Sequence, residues 1–214
     1  MPSQTELIAQ LTGELKPVKR LWDPNLRFIT WLAASVGVVV AIMLFIQSFR
    51  ADFSSQLLNF RFLIETALAV LPTLTLSWVV LRRSVPGLSA PKWLVPATVA
   101  AVVLSLGSLF LGHFGHAATE VSMAGKRPTC LIEVLTLSWI PIAALSFLVL
   151  KGYARHSSAM WFCIGLAGAS LPMALMQVAC MYVPFHNLVF HFLPALVVAA
   201  ISVGIGSIVS RFST

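Results

Sequence analysis

Residues Trp93 to Gly112 read WLVPATVAAVVLSLGSLFLG, twenty in a row without an acidic, basic or histidine side chain. A helix of about 20 apolar residues matches a hydrocarbon core of roughly 30 Å. The run is continuous instead of alternating, and in lipid the backbone has to satisfy its hydrogen bonds within the segment, so a helix is predicted and a strand is not. Five further runs have the same character, at approximately Phe28–Gln47, Phe62–Leu81, Leu131–Leu150, Ala159–Met181 and Leu188–Val209. The predicted fold class is an all-α integral membrane bundle of six transmembrane helices with short loops. A chain that is 58% hydrophobic and 10% charged, with mean hydropathy +0.92, has the composition such a bundle needs.

Orientation follows from Lys and Arg in the short loops. With the N-terminus inside, the cytoplasmic segments hold Lys16, Lys19, Arg20, Arg27, Arg82, Arg83, Lys92, Lys151, Arg155 and Arg211, and the outer loops hold only Arg50, Arg61, Lys126 and Arg127. Six spans then return the C-terminus to the cytoplasm. The expected organisation is a cytoplasmic segment over 1–26, a transmembrane domain over 27–209 and a short cytoplasmic tail over 210–214. The first run starts too far from Met1 and continues too long to read as a cleaved signal peptide. The net charge of +7 calls for no direct nucleic-acid binding, because most of the excess lies where anionic lipid headgroups would meet it.

No soluble domain is expected, so function has to reside in the bundle, the outer loop from about His113 to Cys130, or the segment before the first span. In that segment Ser3 and Glu6 have the spacing of a capping box, and Leu7, Ile8, Leu11 and Leu15 recur on one helical face until Pro17. A helix of about a dozen residues is marginal alone in water. Its apolar stripe therefore docks, either on the bilayer surface or in a groove of a cytoplasmic protein.

The spans carry few ionisable groups. Glu65 and Glu133 lie near the outer ends; Glu65 has Arg61 as an i,i+4 partner, and Glu133 reads as a snorkelling surface residue. Ion transport is disfavoured by the apolar middle of every span. Pro72, Pro96, Pro141, Pro172 and Pro194 put a kink-prone residue in five spans, and Gly165, Gly168 and Ala169 offer a small-residue surface on the fifth.

Chemically distinctive side chains collect at the outer face. Cys130 precedes the fourth span and Cys180 ends the fifth, whereas Cys163 lies at the inner end of the fifth. The two outer thiols are open to three readings: a plain disulfide staple, a pair whose redox or metal-bound state biases helix packing, or two thiols that never meet. His113, His116, His186 and His191 are candidate metal ligands, since sulfur and imidazole together suit zinc or softer metals. His191 lies slightly inside its span, where a buried imidazole needs a partner. No resident cofactor is expected; zinc or a soft heavy metal enters as a candidate signal. A membrane thiol-disulfide oxidoreductase is disfavoured by the lack of a Cys-x-x-Cys pair, so the chain does not read as an enzyme. A small-solute or metal transporter is the other alternative.

Several stretches, in order, resemble the NrsF-type family of six-span inner-membrane proteins, negative regulators or anti-sigma factors of extracytoplasmic-function sigma factors. They are Leu15-Lys16-Pro17-Val18-Lys19-Arg20-Leu21, Phe60-Arg61-Phe62-Leu63-Ile64-Glu65, Ser84-Val85-Pro86-Gly87, the single cysteines Cys130 and Cys180, and His186 to Pro194. Phe190, where a Trp is expected, and the additional Cys163 depart from the pattern. The resemblance implies a bacterial inner-membrane protein whose cytoplasmic N-terminus, through Leu7, Ile8, Leu11, Leu15, Pro17 and Val18, holds a sigma factor. It implies that Cys130 and Cys180 respond to oxidant or heavy metal.

Overall fold

The computed structural model describes residues 4–13, 21–46, 50–114, 126–152 and 157–212. Its elements in chain order are α1 (Gln4–Gly13), α2 (Pro24–Phe45), α3 (Phe53–Gln56), α4 (Phe60–Arg83), α5 (Leu94–Phe114), α6 (Cys130–Leu137), α7 (Trp139–Leu150), α8 (Ser158–Ala179), α9 (Pro184–His186), a π-helical turn (Asn187–Phe192) and α10 (Leu193–Phe212). Among the described residues there are six helical stretches long and apolar enough to cross a membrane, in the six places expected. Exposed Val99, Val103, Leu104, Phe147 and Ile205 line their outer faces. Apolar side chains spread over so much surface are suited to lipid and not to water.

Local chemistry sets the helix starts. Asp23 caps α2 by accepting from the Asn25 amide, with Pro24 in the first helical position. Asn59 accepts from the Arg61 and Phe62 amides at the start of α4, and the Ser157 hydroxyl accepts from the Met160 amide at the start of α8. After α4 the chain turns through Pro86 and Gly87. Gly87 has φ +82°, and the Leu88 amide closes the turn on the Val85 carbonyl at 3.2 Å.

Helix α8 is the hub. It packs along α4 and α10 and also meets α6 and α7. Its small residues permit this: a Cβ on Gly165 would lie 2.6 Å from Ser202 Oγ of α10, and one on Gly168 would lie 2.4 Å from Ile142 of α7. Thr73 of α4 and Ser170 of α8 share a hydrogen bond of 2.8 Å across the buried contact.

The prolines sort into different roles. Pro96 occupies the first turn of α5, where its missing N–H costs nothing. Pro72 and Pro172 sit inside α4 and α8. The run expected as one helix over 131–150 is interrupted at Ser138, because Pro141 has no N–H to give the Leu137 carbonyl. The sixth span starts at Pro184, four residues before the expected boundary, and widens into the π turn just ahead of Pro194. There the Leu193 amide reaches back five residues to the Leu188 carbonyl.

Three arginines counted from the sequence as loop charges are held by nearby protein groups. Arg27 is buried on α2 and donates to the Leu148 carbonyl of α7. Arg50 is buried beside Asp52, and Arg61 stands in the first turn of α4, its Nε 2.9 Å from Glu65. Glu133 is not a lipid-facing snorkelling residue: it accepts from Arg127 at 3.1 Å and from the Thr129 hydroxyl at 2.6 Å. The N-terminal helix is described over Gln4–Gly13; Ser3, Leu15, Pro17 and Val18 lie outside the described residues.

The close contacts of α8 generate a prediction. Gly168→Leu should destabilise the detergent-solubilised protein by about 1–3 kcal/mol through overpacking against Ile142. Gly204→Leu should leave its thermal unfolding midpoint unchanged, since a Cβ there meets nothing within 4 Å.

Candidate functional site

The ends of three elements converge at one end of the bundle. Cys130 is the first residue of α6, Cys180 follows the last turn of α8 in extended conformation, and the chain returns through Tyr182 and Pro184 to His186 and the π turn. Cys130, Cys180, His186 and His191 are all buried, and each offers one donor atom such that the four atoms lie within 4.8 Å of one another. Cys180 Sγ is 3.2 Å from His186 Nε2. The His186 and His191 rings meet edge-on with centroids 5.1 Å apart. Both cysteines are unbridged thiols.

The π turn is what joins the two histidines. Residues five apart on an α-helix point about 140° away from each other. The i→i+5 bonding of a π turn brings the fifth residue back over the first, so His186 and His191 face the same side. Phe190 stacks on the outer side of the His186 ring at 4.7 Å, an interaction that any flat aromatic at this position supplies.

Charged groups around the thiols are already matched. Arg50 binds both carboxylate oxygens of Asp52, at 2.5 and 2.6 Å, and its remaining nitrogen donates to the Cys180 carbonyl at 3.3 Å. Arg127 pairs with Glu133, and its carbonyl lies 3.6 Å from Cys130 Sγ. Tyr182 ties the returning chain to α4 by donating to Glu65 Oε2 at 2.8 Å, while Arg61 holds the other carboxylate oxygen and the Ser108 carbonyl of α5. Burial, then the neighbouring Glu65 carboxylate, push the Tyr182 phenol above its ordinary range, so it remains a donor.

His113 lies in the last turn of α5, but its side chain, like all of His116, lies outside the described residues. Cys163 stands seventeen residues before Cys180 in the chain, a rise of roughly 25 Å along α8, and takes no part in the cluster. Of the expected N-terminal contact residues, Ile8 is exposed on α1, and the side chains of Leu7 and Leu11 lie outside the described residues. Sequence reading missed the participants that secure the site: Tyr182, Arg50 and the Asp52 partner. It also missed the joining of His186 with His191, for which the only signal was a five-residue spacing followed by Pro194.

These features define a multi-pass helical membrane protein with a buried thiol–imidazole cluster at one end and no domain outside the bundle among the described residues. The family model described as NrsF, negative regulator of sigma F, matches residues 11–212, and the chain belongs to that family. No curated protein and no solved structure matches the chain.

Tyr182→Phe should cost about 1.5–3 kcal/mol of stability at neutral pH, the worth of a hydrogen bond to a charged acceptor. Its ring packs edge-on against Phe62 at 5.5 Å, so Tyr182→Ala should cost more. Thermal unfolding in detergent measures both.

Proposed function

We propose that this chain is an anti-sigma factor of the bacterial inner membrane: its cytoplasmic N-terminal segment holds an extracytoplasmic-function sigma factor and releases it when an oxidant or soft heavy metal acts at Cys130 and Cys180. The family description, a negative regulator of sigma F, supports the regulatory role. The observation that carries the sensing role is the meeting of two thiols, fifty positions apart in the chain, in one buried cluster. The proposed orientation retains its basis when Arg27, Arg50 and Arg61 are removed from the count. Nine Lys and Arg then remain on the inner side and only Lys126 and Arg127 on the outer.

A route from signal to output runs through side chains that hold neighbouring helices together. Cys130 opens α6, which continues past Ser138 into α7. Trp31 Nε1 on α2 donates to the Pro141 carbonyl at 2.9 Å, and Arg27 on α2 donates to the Leu148 carbonyl. Helix α2 is the first span after the N-terminal segment, so a shift of α6 and α7 reaches that segment through α2. Oxidation by hydrogen peroxide would take two protons and two electrons from the two thiols, form one S–S bond, break the O–O bond and yield two waters. An S–S bond of about 2.05 Å draws the ends of α6 and α8 together. Reversing a tenfold preference between two packings needs a differential of about 2.7 kcal/mol, within the usual contribution of a disulfide, about 2–4 kcal/mol.

Reporter expression from a sigma-dependent promoter tests this reading. Deleting residues 1–20 should raise basal expression to the level of a strain lacking the protein. Cys130→Ser and Cys180→Ser should each keep basal repression and lose induction by peroxide, cadmium or chromate. Full induction in both variants would overturn the sensing role, and repression by the truncated chain would overturn the N-terminal one. Trp31→Phe should weaken induction at unchanged protein level.

A further inference from the structure

We propose that Cys130, Cys180, His186 and His191 form a four-ligand centre for a borderline-soft divalent cation of the zinc class, built into the resting protein. The donor set is two sulfurs and two imidazoles, the combination that suits tetrahedral zinc. Around such an ion, with sulfur at about 2.3 Å and nitrogen at about 2.0–2.1 Å, neighbouring donors stand roughly 3.3–3.8 Å apart. No two of the four donors are more than 4.8 Å apart and the Cys180–His186 pair is already at 3.2 Å, so no separation needs to close by more than about 1.5 Å.

A second observation, independent of the spacing, points to a ligand. His191 is 2% exposed, and neither of its ring nitrogens has a hydrogen-bond partner among the described residues. An imidazole buried with both nitrogens unmatched is costly, and a bound ion is one of the few things that satisfies it. The His191 ring also borders a cavity of about 10 Å³ lined by Asn187, Gln177 and Glu65, oxygen-bearing groups of the kind that orient a ligating imidazole from behind. Asn187 likewise has both side-chain polar atoms buried without a partner among the described residues.

Charge supports the same assignment. Two thiolates in a buried site need two positive charges nearby, and the adjacent Arg50 and Arg127 are already paired with Asp52 and Glu133. A divalent cation supplies the balance. Four protein ligands and complete burial describe a closed, structural centre and leave no open position for catalysis. The centre clamps the start of α6, the end of α8 and the π turn together, and it accounts for a rare helix type at the one place where the two histidines must share a face.

The centre does not depend on the regulatory reading, but its use as a sensor rests on it: repression holds with or without the ion, and the switch is the new S–S bond, or the longer bonds of a softer metal to both sulfurs, neither of which a serine variant can form. The full-length protein, purified in mild detergent with reductant and freed of metal, is titrated with cobalt(II) alone and then with zinc(II). One cobalt per chain is expected, with intense sulfur-to-cobalt charge-transfer absorption and the visible bands of a tetrahedral ion, both abolished by an equivalent of zinc. His191→Gln and His186→Gln should each lose the tetrahedral bands, and Cys130→Ser should lose about half of the charge-transfer intensity. Wild-type protein that binds no cobalt, or binds it without charge-transfer absorption, overturns the proposal whether or not the variants fold. A folded His191→Gln protein with the wild-type spectrum overturns it too. Sigma capture by a protein that binds no metal would sink this centre alone, and metal binding by a protein that captures no sigma factor would sink the regulatory reading alone.

Discussion

Close approach at helix α8 is the constraint on which the remaining architecture depends. Within a bilayer, helices gain little from hiding apolar surface, and association rests on van der Waals fit and on hydrogen bonds between helices. Gly165 and Gly168 leave no room for a side chain, so α10 and α7 reach the α8 backbone directly, and Thr73 with Ser170 fastens α4 to the opposite flank. With α8 fixed from several sides, its last residue is fixed as well. Cys180 is then delivered to the start of α6 and to the π turn of the returning chain.

What the bundle does with that position is unusual for membrane helices. Buried polar atoms are expensive in hydrocarbon, and most of those here are matched: Arg27 and Trp31 on carbonyls of α7, Arg50 on Asp52, Arg61 and Tyr182 on Glu65. Against that background an imidazole with no hydrogen-bond partner among the described residues and two adjacent thiols stand out. The same side-chain links also fasten α2 to α7, the continuation of α6.

The six spans were legible because twenty uncharged apolar residues have few other uses, and all six fall within about four residues of their expected ends. The small-residue stripe on α8 was legible for the same reason: its chemistry is local. Breaks and registers were not. Pro141 signals a weak helix, but whether the chain bends, hinges or simply carries on depends on neighbours such as Trp31 that lie more than a hundred residues away in sequence. The histidines illustrate this most sharply. His113-x-x-His116 attracts attention because its spacing suits an α-helix, whereas His186 and His191 are spaced to diverge on one, and only the π turn beside Pro194 brings them together. Arg27, Arg50 and Arg61 looked like loop charges since hydropathy cannot distinguish a cation at the headgroups from one folded back onto a carbonyl or carboxylate.

The central claim is that the chemical state of the cluster at one end of the bundle governs what the N-terminal helix holds at the other. Ile8, exposed on α1, is the place to read it. A photocrosslinking amino acid at position 8, activated in living cells before and after brief exposure to cadmium or peroxide, reports the contact directly. The account predicts a crosslink to a sigma factor in untreated cells that disappears within the exposure and persists when Cys130 is serine. A crosslink of equal strength before and after treatment of the unaltered protein would contradict it.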